Sequence, residues 1–314
     1  MSCDISYESP QKLKRRRSGG MPGRKPSRPT GQTGGSLEAG CFNLALTMEC
    51  GQVFGWHKHD NAYFGIIKEN AVVVAQMGDQ VKFCAAGALA ASDIAHYLGL
   101  DDDLRRILAS VAVDPFMKRV LTTGKGLRLL RQEPWHCLCS YLLSSSNRVE
   151  RIDRLVKEIA RTWGTRHTIS GRRVYRLPEP ARLAGCGEAG IRACGAGFRS
   201  PYLVRAAKRV ADGTIDFALL QAMPYEEAKE VLMTIDGVGD KIADCVLLFA
   251  FSKYEAFPVD VWIKKAVEKV YFNSKVVNNN EIRRFAREHF GAYAGYAQEY
   301  IYYHVRTRGI DSDS

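Results

Sequence analysis

One lysine and one aspartate stand at a defined spacing, and each follows turn-forming residues. Lys241 comes just after the glycine turn Gly237-Val238-Gly239, at the predicted start of an apolar-faced helix, and Asp260 lies nineteen residues further on, directly after Pro258-Val259. Amides at a glycine turn that opens a helix can hold a phosphate. An amine can attack a sugar carbon, and a carboxylate can stabilise the cation that develops there. Such a set suits cleavage of a nucleoside glycosidic bond by amine attack.

Each of these residues also has an ordinary structural interpretation. The glycines can serve a helix–turn–helix corner that packs closely. Lys241 can be a solvated surface lysine or a simple phosphate contact, although the helix dipole disfavours a cation there and so favours the neutral, nucleophilic amine. Asp260 is a strong N-cap candidate for the helix that follows. Capping and a role in the reaction are compatible, because a cap holds the carboxylate in place.

Two kinds of hydrophobic periodicity divide the chain. From Cys41 to about Ala85, short apolar segments alternate with turn formers such as Asp60-Asn61, which predicts an antiparallel sheet. The predicted strands cover residues 42–48, 53–59, 62–69, 70–77 and 80–85. From about residue 91 onward, apolar residues recur at helical spacing, for example over 152–163. Strands first and helices afterwards predict an α+β fold.

Three parts are predicted along the chain. Residues 1–40 form a disordered basic tail, 41–125 an antiparallel sheet subdomain with flanking helices, and 126–314 a helical domain with a helix–hairpin–helix motif. The tail is rich in Gly, Pro, Ser and Arg and has almost nothing to bury. Its basic run at 12–17 suits nuclear import or a nonspecific DNA-binding arm, and equally a solvated tail with neither role.

The net charge indicates a polyanionic partner. The chain has 45 Lys and Arg against 34 Asp and Glu, a net charge of +11, and a pI near 9.2. Residues 1–40 hold eight basic and three acidic residues, a balance of +5, which leaves +6 for the rest. Because neutralising phosphates releases counterions and supplies affinity, the remaining charge still favours DNA as the partner.

The nine cysteines do not suggest a metal site. They include no C-x-x-C spacing, and none follows Cys245, which argues against a C-terminal iron–sulfur cluster. An odd number scattered through apolar stretches suits free thiols in a reducing compartment. We find no apolar run long enough to span a bilayer and no signal peptide. An intracellular location is therefore expected: the nucleus in a eukaryote, otherwise the cytoplasm or nucleoid.

The ordered motifs resemble the helix–hairpin–helix DNA glycosylases, and specifically the 8-oxoguanine DNA glycosylase/AP lyases. The likeness rests first on GVGDKIADC around Lys241 and PVDVW around Asp260, and it covers about residues 41–308. Further matching segments are GQVFGW at 51–56, LLRQEP at 129–134, SSSN at 144–147, GFR at 197–199 and GAYAGYAQ at 291–298.

This resemblance implies a bifunctional enzyme that excises 8-oxoguanine from duplex DNA and nicks the abasic strand by β-elimination. No metal or organic cofactor is implied, and a monomer is expected. Lys241 would attack the sugar C1′ and form a Schiff base, while Asp260 would stabilise the developing charge.

The resemblance also assigns base-recognition residues. Gly51 would offer its carbonyl to the N7–H that 8-oxoguanine has and guanine lacks. Gln298 would read the Watson–Crick edge of the base. Cys245 and Tyr302 would sandwich the flipped base. Taken singly, Gly51 could be a bulge, Cys245 a core residue and Gln298 a surface amide.

DNA contacts follow from the same likeness. Arg151 and Arg199 match arginines that contact the cytosine left opposite the lesion, and Phe198 would wedge into the base stack. The hairpin amides at Gly237 and Gly239 would bind a phosphate. Further expected DNA-binding residues are Ser146, Asn147 and Trp262.

Four positions depart from the family pattern. Ser146 stands where an asparagine normally fills the gap left by the extruded base, which puts opposite-base discrimination in doubt. Trp262 replaces a histidine that touches phosphate. Asp236 replaces the usual hairpin proline, and Gly55 replaces a bulkier residue. We expect altered affinity or cytosine preference, with the lysine chemistry intact.

Two other functions stay open at this point. One is a related glycosylase of the same fold that acts on another damaged base. Endonuclease III relatives usually carry a four-cysteine cluster, and alkylpurine relatives lack the hairpin lysine. The other is a DNA-damage-binding module without catalysis.

Overall fold

The computed structural model describes residues 31–310. Five antiparallel strands form one sheet in the order β1-β5-β4-β3-β2, and β6 pairs with β7 as a separate hairpin. The strands are β1 Gln32–Glu38, β2 His57–His59, β3 Ala62–Ile67, β4 Asn70–Met77, β5 Gln80–Ala86, β6 Thr165–Ile169 and β7 Arg172–Arg176. The sheet precedes a mostly helical region, so the α+β prediction is confirmed.

The fourteen α-helices of the described region lie mainly after residue 90. They are α1 Leu44–Glu49, α2 Ala91–Tyr97, α3 Leu104–Val111, α4 Pro115–Thr123, α5 Pro134–Leu142, α6 Val149–Trp163, α7 Pro180–Ile191, α8 Ser200–Ala211, α9 Phe217–Ala222, α10 Tyr225–Met233, α11 Asp240–Phe251, α12 Val261–Tyr271, α13 Asn279–Phe290 and α14 Ala294–Arg308. None of the helices within residues 31–310 is long and apolar enough to cross a bilayer.

Strand β4 is apolar on both faces because both faces of the sheet are covered. Val72 and Val74 pack into one cluster with Tyr97 of α2. Val73 packs on the opposite face with Val174 of the β6–β7 hairpin. A strand buried on both sides needs a near-continuous apolar run rather than strict alternation. The hairpin is a feature that the helical prediction for this part of the chain did not contain.

The first predicted strand, 42–48, is wrong. Its apolar residues are compatible with either periodicity, but the segment from Leu44 to Glu49 is the helix α1. The Asn43 side chain decides this by accepting a hydrogen bond from the amide of Leu46 at 2.9 Å, which caps the helix. The second predicted strand, 53–59, is also too long, since only His57–His59 is strand.

The predicted disordered tail, 1–40, is wrong for its last part. Residues Gln32–Glu38 form β1, which pairs with β5 along its whole length. Two glycines in QTGGSLE weaken the local strand signal, yet the open edge of β5 supplies ladder hydrogen bonds to this segment. One glycine is favoured there, because a Cβ at Gly35 would lie 2.8 Å from the Phe83 ring, which would have to shift. Residues 1–30, including the basic run at 12–17, lie outside the described residues.

A large helical core surrounds α5 and α11. It includes Leu138 of α5, Val246 of α11 and Ile301 of α14, all essentially buried. Ile263 of α12 and Cys50, directly after α1, pack in the same core. Helices α5, α11, α12 and α14 and the loop after α1 therefore meet in one region of the molecule.

Candidate active site

The predicted helix–hairpin–helix consists of α10, a tight turn and α11. Gly237 has φ +85°, and a Cβ there would lie 2.7 Å from the Tyr202 ring, so both the backbone and the packing require glycine. Val238 is buried and anchors the turn. Gly239 is the N-cap of α11, and no side chain caps this helix start. The turn therefore leaves the N-terminus of α11 facing a cleft of about 1100 Å³.

Lys241 lies in the first turn of α11, at the junction of this cleft and a smaller cavity. Its Nζ donates to the Ser144 hydroxyl at 3.3 Å and lies 5.1 Å from the centre of the Tyr141 ring. The Ser144 hydroxyl in turn donates to the Tyr141 carbonyl at 2.6 Å. None of the ion pairs found among residues 31–310 includes Lys241. The amine is thus held by a hydroxyl and an aromatic face, not by a carboxylate.

Asp260 caps α12, as predicted. One of its carboxylate oxygens accepts from the amides of Trp262 at 2.9 Å and Ile263 at 2.8 Å. Two bonds to fixed amides restrict the carboxylate to one orientation. Asp260 and Lys241 line the same cleft and the same smaller cavity. The two residues whose spacing suggested chemistry are therefore brought together.

The smaller cavity has a volume of about 110 Å³. All four predicted base-recognition residues line it: Gly51, Cys245, Gln298 and Tyr302. They come from the loop after α1, from α11 and from α14, which lie far apart in the chain. Phe54, Tyr141 and Phe249 also line this cavity, so aromatic rings form part of its wall.

Any other residue at Gly51 would be strained in this geometry. Its φ is +108°, and a Cβ would lie 2.7 Å from a guanidinium nitrogen of Arg306. That same nitrogen, Nη1, donates to the Cys50 carbonyl at 2.9 Å. Arg306 therefore fixes the loop that carries Gly51, a role that the sequence motifs did not reveal.

Two buried side chains of the cavity, Cys245 and Gln298, are suited to different contacts with a ligand. Burial raises the pKa of the Cys245 thiol to about 12, so this side chain is neutral and suited to packing against a ring. Gln298 is 5% exposed, and its side-chain carbonyl oxygen has no hydrogen-bond partner within residues 31–310. A buried amide oxygen without a protein partner at a cavity wall is suited to binding a ligand.

A buried ionic network joins α11 to α10 and α13. Asp244 is fully buried, and its carboxylate pairs with Lys229 of α10 at 2.9 Å and with Arg283 of α13 at 2.8 Å. Tyr225 donates to the same carboxylate at 2.6 Å. Asp240, one turn earlier, meets the same two cations at 3.1 and 3.4 Å. Nothing in the local sequence pattern indicates this network.

The expected DNA-binding residues fall into two groups. Ser146, Asn147, Trp262 and the two hairpin glycines line the open cleft, and Arg151 lines a depression beside it. Trp262 is 46% exposed at the start of α12. Ser146 has φ +52°, a conformation that asparagine, the family's residue here, tolerates well.

Phe198 and Arg199 line neither the cleft nor the cavity. Phe198 is 53% exposed, and the Arg199 guanidinium stacks on its ring at 4.1 Å. Arg199 itself is buried and donates to the Ser145 carbonyl at 2.7 Å. The guanidinium thereby holds the loop at 144–147, and a direct contact with an opposite base stays a prediction.

Comparisons with known proteins agree with this arrangement. A family model described as the N-terminal domain of 8-oxoguanine DNA glycosylase matches residues 36–138. A probable N-glycosylase/DNA lyase of Methanothermobacter thermautotrophicus is 33% identical over 217 residues, which span 63% of this chain and 69% of the relative.

Two solved structures extend the likeness to the fold. MBOgg1 in complex with a low-affinity DNA ligand has a TM-score of 0.83 and 32% identity, covering 90% of this chain and 98% of that one. The Clostridium acetobutylicum 8-oxoguanine glycosylase/lyase, in complex with double-stranded DNA containing cytosine opposite 8-oxoguanine, has a TM-score of 0.79 and 33% identity, covering 84% and 92%. The chain belongs to the 8-oxoguanine DNA glycosylase family of N-glycosylase/DNA lyases.

Proposed function

We propose that this protein is a bifunctional DNA glycosylase that removes 8-oxoguanine from duplex DNA and then nicks the abasic strand. The observation that carries the proposal is the position of the Lys241 amine. It lies outside the ion pairs of the described residues, beside Asp260, where an open cleft meets a cavity of about 110 Å³. A duplex in the cleft and an everted base in the cavity would place a sugar next to this amine.

In the proposed reaction, neutral Lys241 Nζ forms a bond to C1′ while the C1′–N9 bond breaks and the base leaves with the electron pair. Opening of the sugar ring gives a protonated imine. Loss of a C2′ proton then expels the 3′ phosphate, which is the lyase step. No metal or organic cofactor takes part in these reaction steps.

Asp260 would act electrostatically in the first step. Positive charge develops at the sugar as the glycosidic bond lengthens, and a carboxylate already fixed by two amides needs little reorganisation to stabilise it. The cap and the catalytic role are thus served by one geometry.

Base selection would use the lining of the cavity. The Gly51 carbonyl would accept N7–H of 8-oxoguanine, whereas guanine would present a lone pair to a lone pair. The unpartnered Gln298 oxygen would meet a donor on the Watson–Crick edge. The neutral Cys245 thiol and the Tyr302 ring would lie against the two faces of the base.

The cleft would bind the duplex. The hairpin at Gly237 and Gly239 would hold a phosphate with help from the α11 dipole. Ser146, Asn147, Arg151 and Trp262 would contact the strands near the lesion, and the exposed Phe198 would enter the base stack, supported by Arg199. We expect a monomer that works where DNA is kept, in the nucleus of a eukaryote or otherwise at the nucleoid.

Borohydride trapping tests the proposal. Reduction of the imine with 8-oxoguanine duplex DNA should yield a covalent complex with the parent protein, and Lys241→Gln should abolish it. Lys265→Gln, an exposed lysine on α12, serves as the matched control and should trap normally. Equal trapping by Lys241→Gln and the parent would defeat the mechanism. Trapping only with another damaged base would favour a relative of different specificity, and binding without any trapping would favour a non-catalytic module.

A further inference from the structure

One acidic side chain in the cavity has no place in the mechanism above. Glu299 follows Gln298 on α14, is 3% exposed and lines the same cavity. Its Oε1 has no hydrogen-bond partner among residues 31–310, and none of the ion pairs found there includes it. A buried carboxyl oxygen without a partner is costly to a fold. Such a group at the wall of a ligand cavity is suited to a partner that the ligand brings.

The surroundings of Glu299 favour the neutral acid. Burial and the charge of Asp260 raise the pKa of Glu299, the Cys50 thiol and Arg306 lower it, and the net result is a pKa of about 7. Arg306 is not an ion-pair partner of Glu299: its guanidinium donates to the Cys50 carbonyl and lies 3.6 Å from Glu150. The titratable or charged groups around this carboxyl are Cys50, Tyr141, Lys241, Cys245, Asp260, Tyr302 and Arg306.

We propose that Glu299 is a further base-recognition residue, whose carboxylic acid group donates a hydrogen bond to a carbonyl oxygen of the extruded purine. This inference rests on the proposed function. The carbonyl oxygens O6 and O8 of 8-oxoguanine flank N7, the atom that would face Gly51. Because Glu299 lies against Cys50, next to Gly51, a donor there is positioned for one of these two oxygens.

The protonation state matters because the base departs with an electron pair. A neutral acid stabilises negative charge that accumulates on the leaving base, as carboxylic acids kept neutral in other sites do. A carboxylate in the same place would repel that charge and would present lone pairs to a carbonyl oxygen. Glu299 should therefore assist base release below its pKa and lose this function as pH rises above about 7.

Two reactions of the same enzyme separate this role from a structural one. Excision of 8-oxoguanine under single-turnover conditions needs a base in the cavity, whereas cleavage of a pre-formed abasic site does not. Glu299→Ala should slow excision by about 10-fold or more, because it removes a hydrogen bond to a charged group. Abasic-site cleavage should change less than about 2-fold, since the nucleophile is untouched. Glu288→Gln, an exposed glutamate on α13, is the control and should alter neither rate.

The isosteric variant Glu299→Gln keeps a donor and removes the titration. The ratio of excision rates, parent over Glu299→Gln, should fall as pH rises from 6 to 8, because only the parent loses its donor. Any pH effect on the groups that the two proteins share cancels in this ratio. Equal slowing of excision and abasic cleavage in Glu299→Ala, or a ratio that does not depend on pH, overturns the role of Glu299. A parent protein that is inactive on both substrates overturns the proposed function itself.

Discussion

The N-termini of α11 and α12 face the same cleft but are built in opposite ways. The start of α11 has no side-chain cap, and a lysine lies in its first turn. The start of α12 is closed by Asp260, which accepts two amide hydrogen bonds, and it exposes Trp262. Both helix dipoles point positive charge at the cleft. The N-terminus of α11 is left open for an anion of a ligand, whereas the N-terminus of α12 orients the carboxylate of Asp260.

This difference explains why α11, but not α12, is held in place by a buried ionic network. The open end of α11 has no local cap to fix it, so it is held by the Asp244 network with α10 and α13. The start of α12 needs no such network because its cap is local. Lys241 and Asp260 are thus positioned in one site by two independent sets of contacts, and mutation can disrupt each set separately.

The largest effect on stability is expected from Asp244→Ala. This change leaves the buried Lys229 and Arg283 without their fully buried partner, which costs about 3–5 kcal/mol of the free energy of unfolding. Urea denaturation measures the loss. Asp240→Ala is the matched control, because Asp240 meets the same two cations but its side chain is 43% exposed. Its cost should stay within about 1 kcal/mol, and equal losses would show that Asp244 is not the anchor of α11.

Substitution of Asp260 separates the two roles of its carboxylate. Asp260→Asn keeps an N-cap but lacks the charge, so base release should slow by about 10²-fold with little change in stability or duplex affinity. Asp260→Ala should slow it similarly and also cost about 1 kcal/mol of stability. Single-turnover excision and thermal unfolding provide the two measurements. If Asp260→Asn excises at the parental rate, the carboxylate serves only as a cap.

The strands and helices with strong local periodicity could be predicted from the sequence. Strands β3, β4 and β5 and helix α11 lie where alternation or helical spacing placed them. The failures occurred where local signals were weak or ambiguous. The residues before Glu49 suited strand or helix equally, until the Asn43 cap decided the matter. Strand β1 depends on the edge of β5, a partner more than forty residues away.

The active-site residues likewise differ in how well the sequence alone identified them. Lys241 and Asp260 stood out because their local motifs carry the chemistry, and the structure brings them to one cavity. Glu299 and Arg306 did not, since their significance depends on distant contacts. The bond from Arg306 to the Cys50 carbonyl joins residues 256 positions apart. A sequence motif identifies reacting groups more readily than the groups that position them.

The two hairpin glycines provide a sharper test of the open end of α11. Gly237→Ala should cost about 1–3 kcal/mol of stability, because alanine is strained at φ +85° and its Cβ meets Tyr202. Gly239→Ala should leave stability within about 0.5 kcal/mol, since φ is −101° and nothing lies within 4 Å of the added Cβ. A methyl group at Gly239 should nevertheless weaken duplex binding several-fold by keeping a phosphate away from the turn. Parental affinity of Gly239→Ala would show that no phosphate approaches there.

The smallest effects are expected at the exposed start of α12, and salt dependence distinguishes them from ionic contacts. Trp262→Ala should change stability by no more than about 0.5 kcal/mol, because the side chain is 46% exposed. In a Lys241→Gln background that cannot react, it should weaken binding to lesion DNA by about 5-fold or more through lost ring contacts. The slope of log affinity against log salt should not change, because indole carries no charge. Arg151→Met should instead lower the magnitude of that slope by about 0.9, the value for one phosphate contact. A changed slope in Trp262→Ala would contradict an uncharged ring contact. An unchanged slope in Arg151→Met would contradict a phosphate contact of Arg151.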